Sequence, residues 1–167
     1  FLFLLCLNPY RIYSQRENSK FVNIFIGTGS VDNQSLSGSN FPGATYPFGM
    51  VQLSPDTKEN PEDPCSGYDY KDNTIVGFSH THLNGTGVDD LFDFLFMTYY
   101  GELKWFPGND STKGYSSTFR HENEKGTPGY YSVLLDNGIN CEFTASAHSG
   151  MHKYTFPENK SYNLIVD

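Results

Sequence analysis

Between Gly77 and Asp90 the chain runs Gly-Phe-Ser-His-Thr-His-Leu-Asn-Gly-Thr-Gly-Val-Asp-Asp and concentrates two of its five histidines with hydroxyls, an amide and two carboxylates. Side chains alternate along a strand, so His80 and His82, one residue apart, would share a face there, and two imidazoles on one face can ligate a transition metal. A double-stranded-barrel metal site wants a Glu three or four positions later and a further His. Here Asn84, Gly85 and Thr86 follow instead. Histidines hydrogen-bonded into a polar turn, or recognising substrate hydroxyls, compete with the metal reading. Asn84-Gly85-Thr86-Gly87 lacks the Lys and the strand-to-helix setting of a phosphate loop. Asp89, Asp90 and Asp93 suit Ca²⁺ ligation, acid–base chemistry or capping of backbone donors, and in extended backbone Asp89 and Asp90 point apart. Glycoside hydrolysis needs two carboxyl groups flanking the bond, and nothing in the sequence singles out that pair. Tyr68, Tyr70 and Trp105 fit sugar stacking and fit equally the core or edge of a sandwich.

Those groups must be positioned by strands. Fourteen Phe and twelve Tyr, with sixteen Gly and nine Pro, favour strands and turns over helices, and no convincing three-turn helix is present. Strand composition is predicted for residues 21–26, 50–53, 74–78, 92–98, 115–121, 130–135, 139–147, 151–156 and 162–166. Turn signals at Thr127-Pro128-Gly129, Asp136-Asn137-Gly138, His148-Ser149-Gly150 and Pro157-Glu158-Asn159 separate the later strands. The expected fold is all-β, an antiparallel β-sandwich. In it the histidine stretch joins two strands, and residues 56–66 form an exposed excursion.

The net charge of −8 argues against nucleic acid or an anionic membrane surface as partner and leaves neutral substrates such as sugars. Residues 1–14 read as a partial signal peptide, 15–20 as a tether, and 21–167 as the sandwich domain, incomplete at its C-terminal end. The opening apolar run of seven residues is too short to span a bilayer, so the expectation is an exported protein, periplasmic or extracellular and not integral to the membrane. Export would permit a Cys65–Cys141 bridge, with two separate thiols as the alternative.

Several collinear stretches resemble the N-terminal domain of glycoside hydrolase family 92, the calcium-dependent exo-acting α-mannosidases. They are Val22-Asn23-Ile24-Phe25-Ile26-Gly27-Thr28-Gly29, the run from Phe41-Pro42-Gly43 through Pro47-Phe48-Gly49 to Ser54-Pro55-Asp56-Thr57, the histidine stretch, Pro128-Gly129-Tyr130-Tyr131, and His152-Lys153-Tyr154-Thr155-Phe156-Pro157. The resemblance implies a sandwich packed against a C-terminal (α/α)-barrel domain of the same chain, with the sugar site between them. It further implies inverting hydrolysis of α-mannoside glycans, a calcium ion held mostly by residues outside this sequence, and a catalytic acid and base in the barrel. Ser79, His80, His82, Asn84, Gly85, Thr86, Gly87, Asp89, Asp90 and Tyr70 become candidates for lining the sugar site or the domain interface. A carbohydrate-binding sandwich without catalysis is the alternative. Ile24, Ser39-Asn40 and Val88 depart from the family pattern, which bears on linkage preference.

Overall fold

A computed structural model describes residues 18–29, 39–57, 66–86, 88, 90–108 and 113–167. Apart from a 3-10 turn over Ser19–Phe21, its elements are strands: β1 (Ala44–Thr45), β2 (Gln52–Asp56), β3 (Thr74–Ile75), β4 (Gly77–Ser79), β5 (Phe96–Tyr100), β6 (Ser117–Thr127), β7 (Tyr130–Leu135), β8 (Asn140–Ala145), β9 (Gly150–Thr155) and β10 (Tyr162–Val166). They form two five-stranded sheets, ordered β1-β2-β4-β5-β10 and β3-β6-β7-β8-β9, and every strand pair is antiparallel. The expected antiparallel sandwich is what the chain forms.

Alternation explains the core. In β7 and β8 one set of side chains, Tyr131, Val133, Cys141 and Phe143, is buried, while Tyr130, Leu134 and Thr144 on the other face are exposed. The first sheet answers with Leu53 and Phe78, and the Phe78 and Phe143 rings meet across the gap with centroids 4.3 Å apart. Two tight hairpins join the strands of the second sheet, and each puts a glycine at positive φ: Gly129 (82°) between β6 and β7, and Gly138 (88°) between β7 and β8. These are the turns the sequence marked.

The N-terminal half departs from the expected pattern in four places. Residues 21–26 are no strand, because Asn23 folds the backbone: its side chain accepts from Phe25 N, its carbonyl accepts from Ile26 N, and Gly27 follows at φ 79°. The run 74–78 divides at Val76, so β3 pairs with β6 in one sheet and β4 with β2 in the other. Strand β5 starts only at Phe96, since Leu91, Phe92 and Phe94 sit at φ 80°, 60° and 56°, values that no strand residue adopts. Asp56, read as the start of an exposed excursion, is the last residue of β2 and is buried. Residues 58–65, including Cys65, lie outside the described residues, as do the signal-peptide residues. Cys141 is buried with a free thiol, and burial pushes its pKa upward.

Candidate functional site

The stretch after β4 folds back on itself. His80 N donates to Asp93 O (3.0 Å), Phe92 N donates to Thr81 O (3.0 Å), and His82 and Leu91 form an isolated bridge, so an irregular hairpin prolongs β4 and β5 beyond the sheet. Without a regular strand the two histidines do not share a surface. His80 follows the inward register of Phe78 and meets β9 of the opposite sheet, its Nε2 2.7 Å from His152 Nε2. His82 turns to the outer face of the first sheet.

There it is held from every side. Its Nδ1 lies 2.7 Å from the Gln52 carbonyl, and its Nε2 lies 2.9 Å from Asp56 Oδ1 and 3.0 Å from Ser79 Oγ. Ser79 N donates to Asp56 Oδ2 (3.1 Å), and the rings of Phe41 and Phe92 cover the imidazole at 5.1 and 5.7 Å. Ser79, His82 and Asp56 match a catalytic triad in type but not in geometry. A general base needs its nucleophile on one ring nitrogen and its orienting carboxylate on the other. Here serine and carboxylate share Nε2, and a carbonyl occupies Nδ1. All three residues are at most 4% exposed, so the node is an anchor for the surrounding segments.

What it anchors is a cleft of about 480 Å³. His82 and Asn84 form part of its lining, with Phe41, Gly43 and Tyr46 from the segment around β1 and Ile24 from the N-terminal turn. The Phe-Pro-Gly run lies directly on β2: a Cβ at Gly43 would stand 2.4 Å from Ser54 Cα and Cβ, so only glycine permits this approach. Beside the cleft, Tyr46, Phe48 and Met50 are exposed, and Phe48 is solvent-exposed throughout at φ 59°. A bulky side chain at positive φ is uncommon, and the Phe48 ring is presented to solvent on a Pro47–Phe48 turn tied by Gly49 N to Tyr46 O (2.8 Å).

The other candidates divide. Gly85 and Thr86 are exposed near the cleft, and Gly85 N donates to Ser39 O (2.6 Å). Asp90 is exposed and accepts from Leu91 N (2.8 Å), while Asp93 accepts from Thr81 Oγ1 (2.9 Å). Gly87 and Asp89 lie outside the described residues. Tyr70 is separate from the cleft: it stacks on His121 at 4.1 Å, with Phe25 edge-on at 5.8 Å. Tyr68 is core, not platform, and its hydroxyl donates to Glu124. Among the described residues no group of three or more His, Cys, Asp or Glu side chains could hold a metal ion. The His80-Thr81-His82 pair therefore lacks the further ligands a transition metal needs.

Two polar centres were not legible in the sequence. Glu124, wholly enclosed in the second sheet, accepts hydrogen bonds from Tyr68, Tyr131 and His121 Nδ1 (2.6 Å). Burial first, and then the Glu124 charge, push the Tyr68 and Tyr131 hydroxyls well above the ordinary tyrosine range. The second is the His80–His152 contact, continued by His152 Nδ1 to Tyr154 OH (2.8 Å). Burial, reinforced by His80, pushes His152 down to about 4, and burial, reinforced by His82, lowers His80.

The model of the glycosyl hydrolase family 92 N-terminal domain matches residues 21–167. The chain belongs to glycosyl hydrolase family 92. Among solved structures, this family 92 domain is similar to a family GH92 α-mannosidase from Bacteroides thetaiotaomicron in complex with mannoimidazole. The identity is 43% and the TM-score 0.81, covering 89% of this chain and 19% of that one. A family GH92 inverting mannosidase from Bacteroides thetaiotaomicron VPI-5482 matches at 32% identity and TM-score 0.69, covering 89% and 19%. An uncharacterized secreted glycosidase of Arthroderma benhamiae is 27% identical over 160 residues, 90% of this chain and 19% of its own length. The domain thus spans about a fifth of the relatives it matches. No helix among the described residues is long and apolar enough to cross a membrane.

Proposed function

We propose that this domain is one wall of an exo-acting α-mannosidase that removes terminal α-linked mannose from glycans, the catalytic acid and base being supplied by a C-terminal (α/α)-barrel of the same protein. The observation that carries the reading is the convergence, in one cleft, of the Phe41–Gly49 loop and the His82–Asn84 segment in a family 92 domain whose solved relatives include α-mannosidases. The division of labour follows from the local chemistry. The enclosed carboxylate of Asp56 is committed to His82 and Ser79, so the cleft as described has no free acid–base pair of its own. Its chain-borne contributions are shape, from Phe41 and Gly43, and polar groups for sugar hydroxyls, from Asn84 and Thr45. The exposed Tyr46, Phe48 and Met50 supply an apolar rim on which the barrel would seat.

The proposal includes inversion and calcium dependence, the ion being held by residues beyond this sequence and polarising sugar oxygens when bound. Export to the periplasm or the extracellular space completes it, a reading supported by the secreted relative. The test is the full-length protein on α-mannosides and mannan, with calcium and with a chelator. Release of mannose that first appears as the β-anomer and stops on chelation is the expected result. No mannose from any α-linked mannoside would refute the reading, and binding without release would leave the carbohydrate-binding alternative in its place.

A further inference from the structure

On the outer face of the second sheet, strand β6 contains an insertion. Phe119 pairs with Leu135 and Glu124 with Val133, so residues 120–123 of β6 span the ground that Leu134 alone spans on β7. The surplus arches out of the sheet, as an irregularity of this kind must when the ladder resumes in register on both sides. The arch is pinned at both levels. Underneath, Glu124 is drawn inward by Tyr68, Tyr131 and His121, and on top the Arg120 guanidinium meets Glu122 (3.1 Å) and Asp136 (3.5 Å).

Between the arch and the outward side chains of β7 and β8 lies a pocket of about 360 Å³. Ligand pockets run from roughly 300 Å³ upward, so this one admits one or two sugar rings. Leu134 and the Tyr130 ring give it an apolar patch, and Asn123, Ser132 and Asn140 surround that patch with amides and a hydroxyl. Glu142 organises one side in advance: its carboxylate accepts from Tyr130 OH (2.9 Å), Asn140 Nδ2 (3.3 Å) and Lys153 Nζ (2.7 Å). Among the described residues no side-chain hydrogen bond engages Asn123 or Ser132, which leaves their donors and acceptors to a ligand. An apolar patch edged by amides and hydroxyls is the complement of a pyranose, which offers a C–H face ringed by equatorial hydroxyls. The lining carries one cation and one carboxylate, Lys125 and Glu122, so no net charge is called for.

We propose that this arch-walled pocket is a second carbohydrate site that binds a neutral pyranose unit of the glycan away from the hydrolytic cleft. That the sugar is a mannose residue rests on the function proposed above, whereas the neutral pyranose follows from the pocket alone. The test is electrophoresis of the full-length protein through native gels containing α-mannan, a neutral β-glucan or a uronic-acid polymer, with Asn123→Ala and Asn140→Ala variants and circular dichroism to verify their fold. A neutral polysaccharide retards the wild type, and each variant loses at least tenfold in apparent affinity. Two amide positions on opposite walls are used so that one poorly folded variant does not decide the matter. Undiminished retardation of both folded variants, no retardation by any neutral polymer, or preference for the uronic-acid polymer would overturn the assignment. Release of mannose from a small α-mannoside is scored separately on the wild type. Its failure would sink the proposed activity while the gel result still decided the pocket.

Discussion

The His80–His152 contact makes the sandwich acid-sensitive in a way that can be calculated. The two Nε2 atoms, 2.7 Å apart, accommodate one shared proton, and a second would oppose two N–H groups and bury a cation between the sheets beside Phe96 and Phe143. Burial holds His152 at about 4 against an unperturbed 6.5. In the interval between those values the unfolded chain binds more protons than the folded one, so stability rises with pH there. Coming down from neutrality, the loss begins near the unfolded value of 6.5 and is complete near 4. Two pH units at about 1.36 kcal/mol each give a ceiling of ~2.7 kcal/mol between pH 6.5 and 4.5. The ring is partly exposed, and solvent screening reduces this by roughly half, to about 1.4 kcal/mol. Urea unfolding followed by circular dichroism at pH 6.5, 5.5 and 4.5 measures it, with His152→Gln as the reference because carboxylates titrate in the same interval in both proteins. The wild type should lose ~1.4 kcal/mol more than the variant. Parallel losses, within about 0.5 kcal/mol, would refute the reasoning.

Other predictions follow from the buried polar centres and the core. Asp56→Ala strips His82 Nε2 and Ser79 N of their shared acceptor and should cost about 3–5 kcal/mol by thermal or urea unfolding, the range for breaking a buried, charge-assisted pair. Glu124→Ala leaves Tyr68, Tyr131 and His121 without an acceptor at once, and should cost several times the ~1 kcal/mol expected for Tyr68→Phe. Phe143→Ala opens the core between the sheets, and a loss of about 3–5 kcal/mol in the same assay is expected. In the full-length protein Asn84→Ala should raise KM for mannan several-fold with little change in unfolding midpoint, since the residue is exposed beside the cleft.

The parts of the fold that the sequence displays are those set by local rules. From β7 onward, strand composition and turn glycines act on neighbouring residues, and the predicted strands at 130–135 and 162–166 coincide with β7 and β10. The N-terminal half obeys tertiary constraints instead. Nothing in Thr74–Phe78 signals that its two ends enter different sheets, and nothing in Leu91–Phe94 announces positive φ, because that conformation costs on the order of 1–3 kcal/mol per residue and persists only where surroundings impose it. The histidine stretch showed its residue types but not their partners. His82 is fixed by Asp56 and Gln52, some thirty positions earlier, and His80 by His152, seventy-two later. Glu124 was invisible for a related reason: only the insertion in β6 turns its side chain inward.

The central claim, that this family 92 domain serves an α-mannosidase whose chemistry is completed by the barrel, is tested most directly by one assay of the full-length protein. Proton NMR of the sugar first released from an α-linked mannobiose, with calcium present, should show β-mannose. Intact substrate after prolonged incubation, with every α-linkage tried, would contradict it.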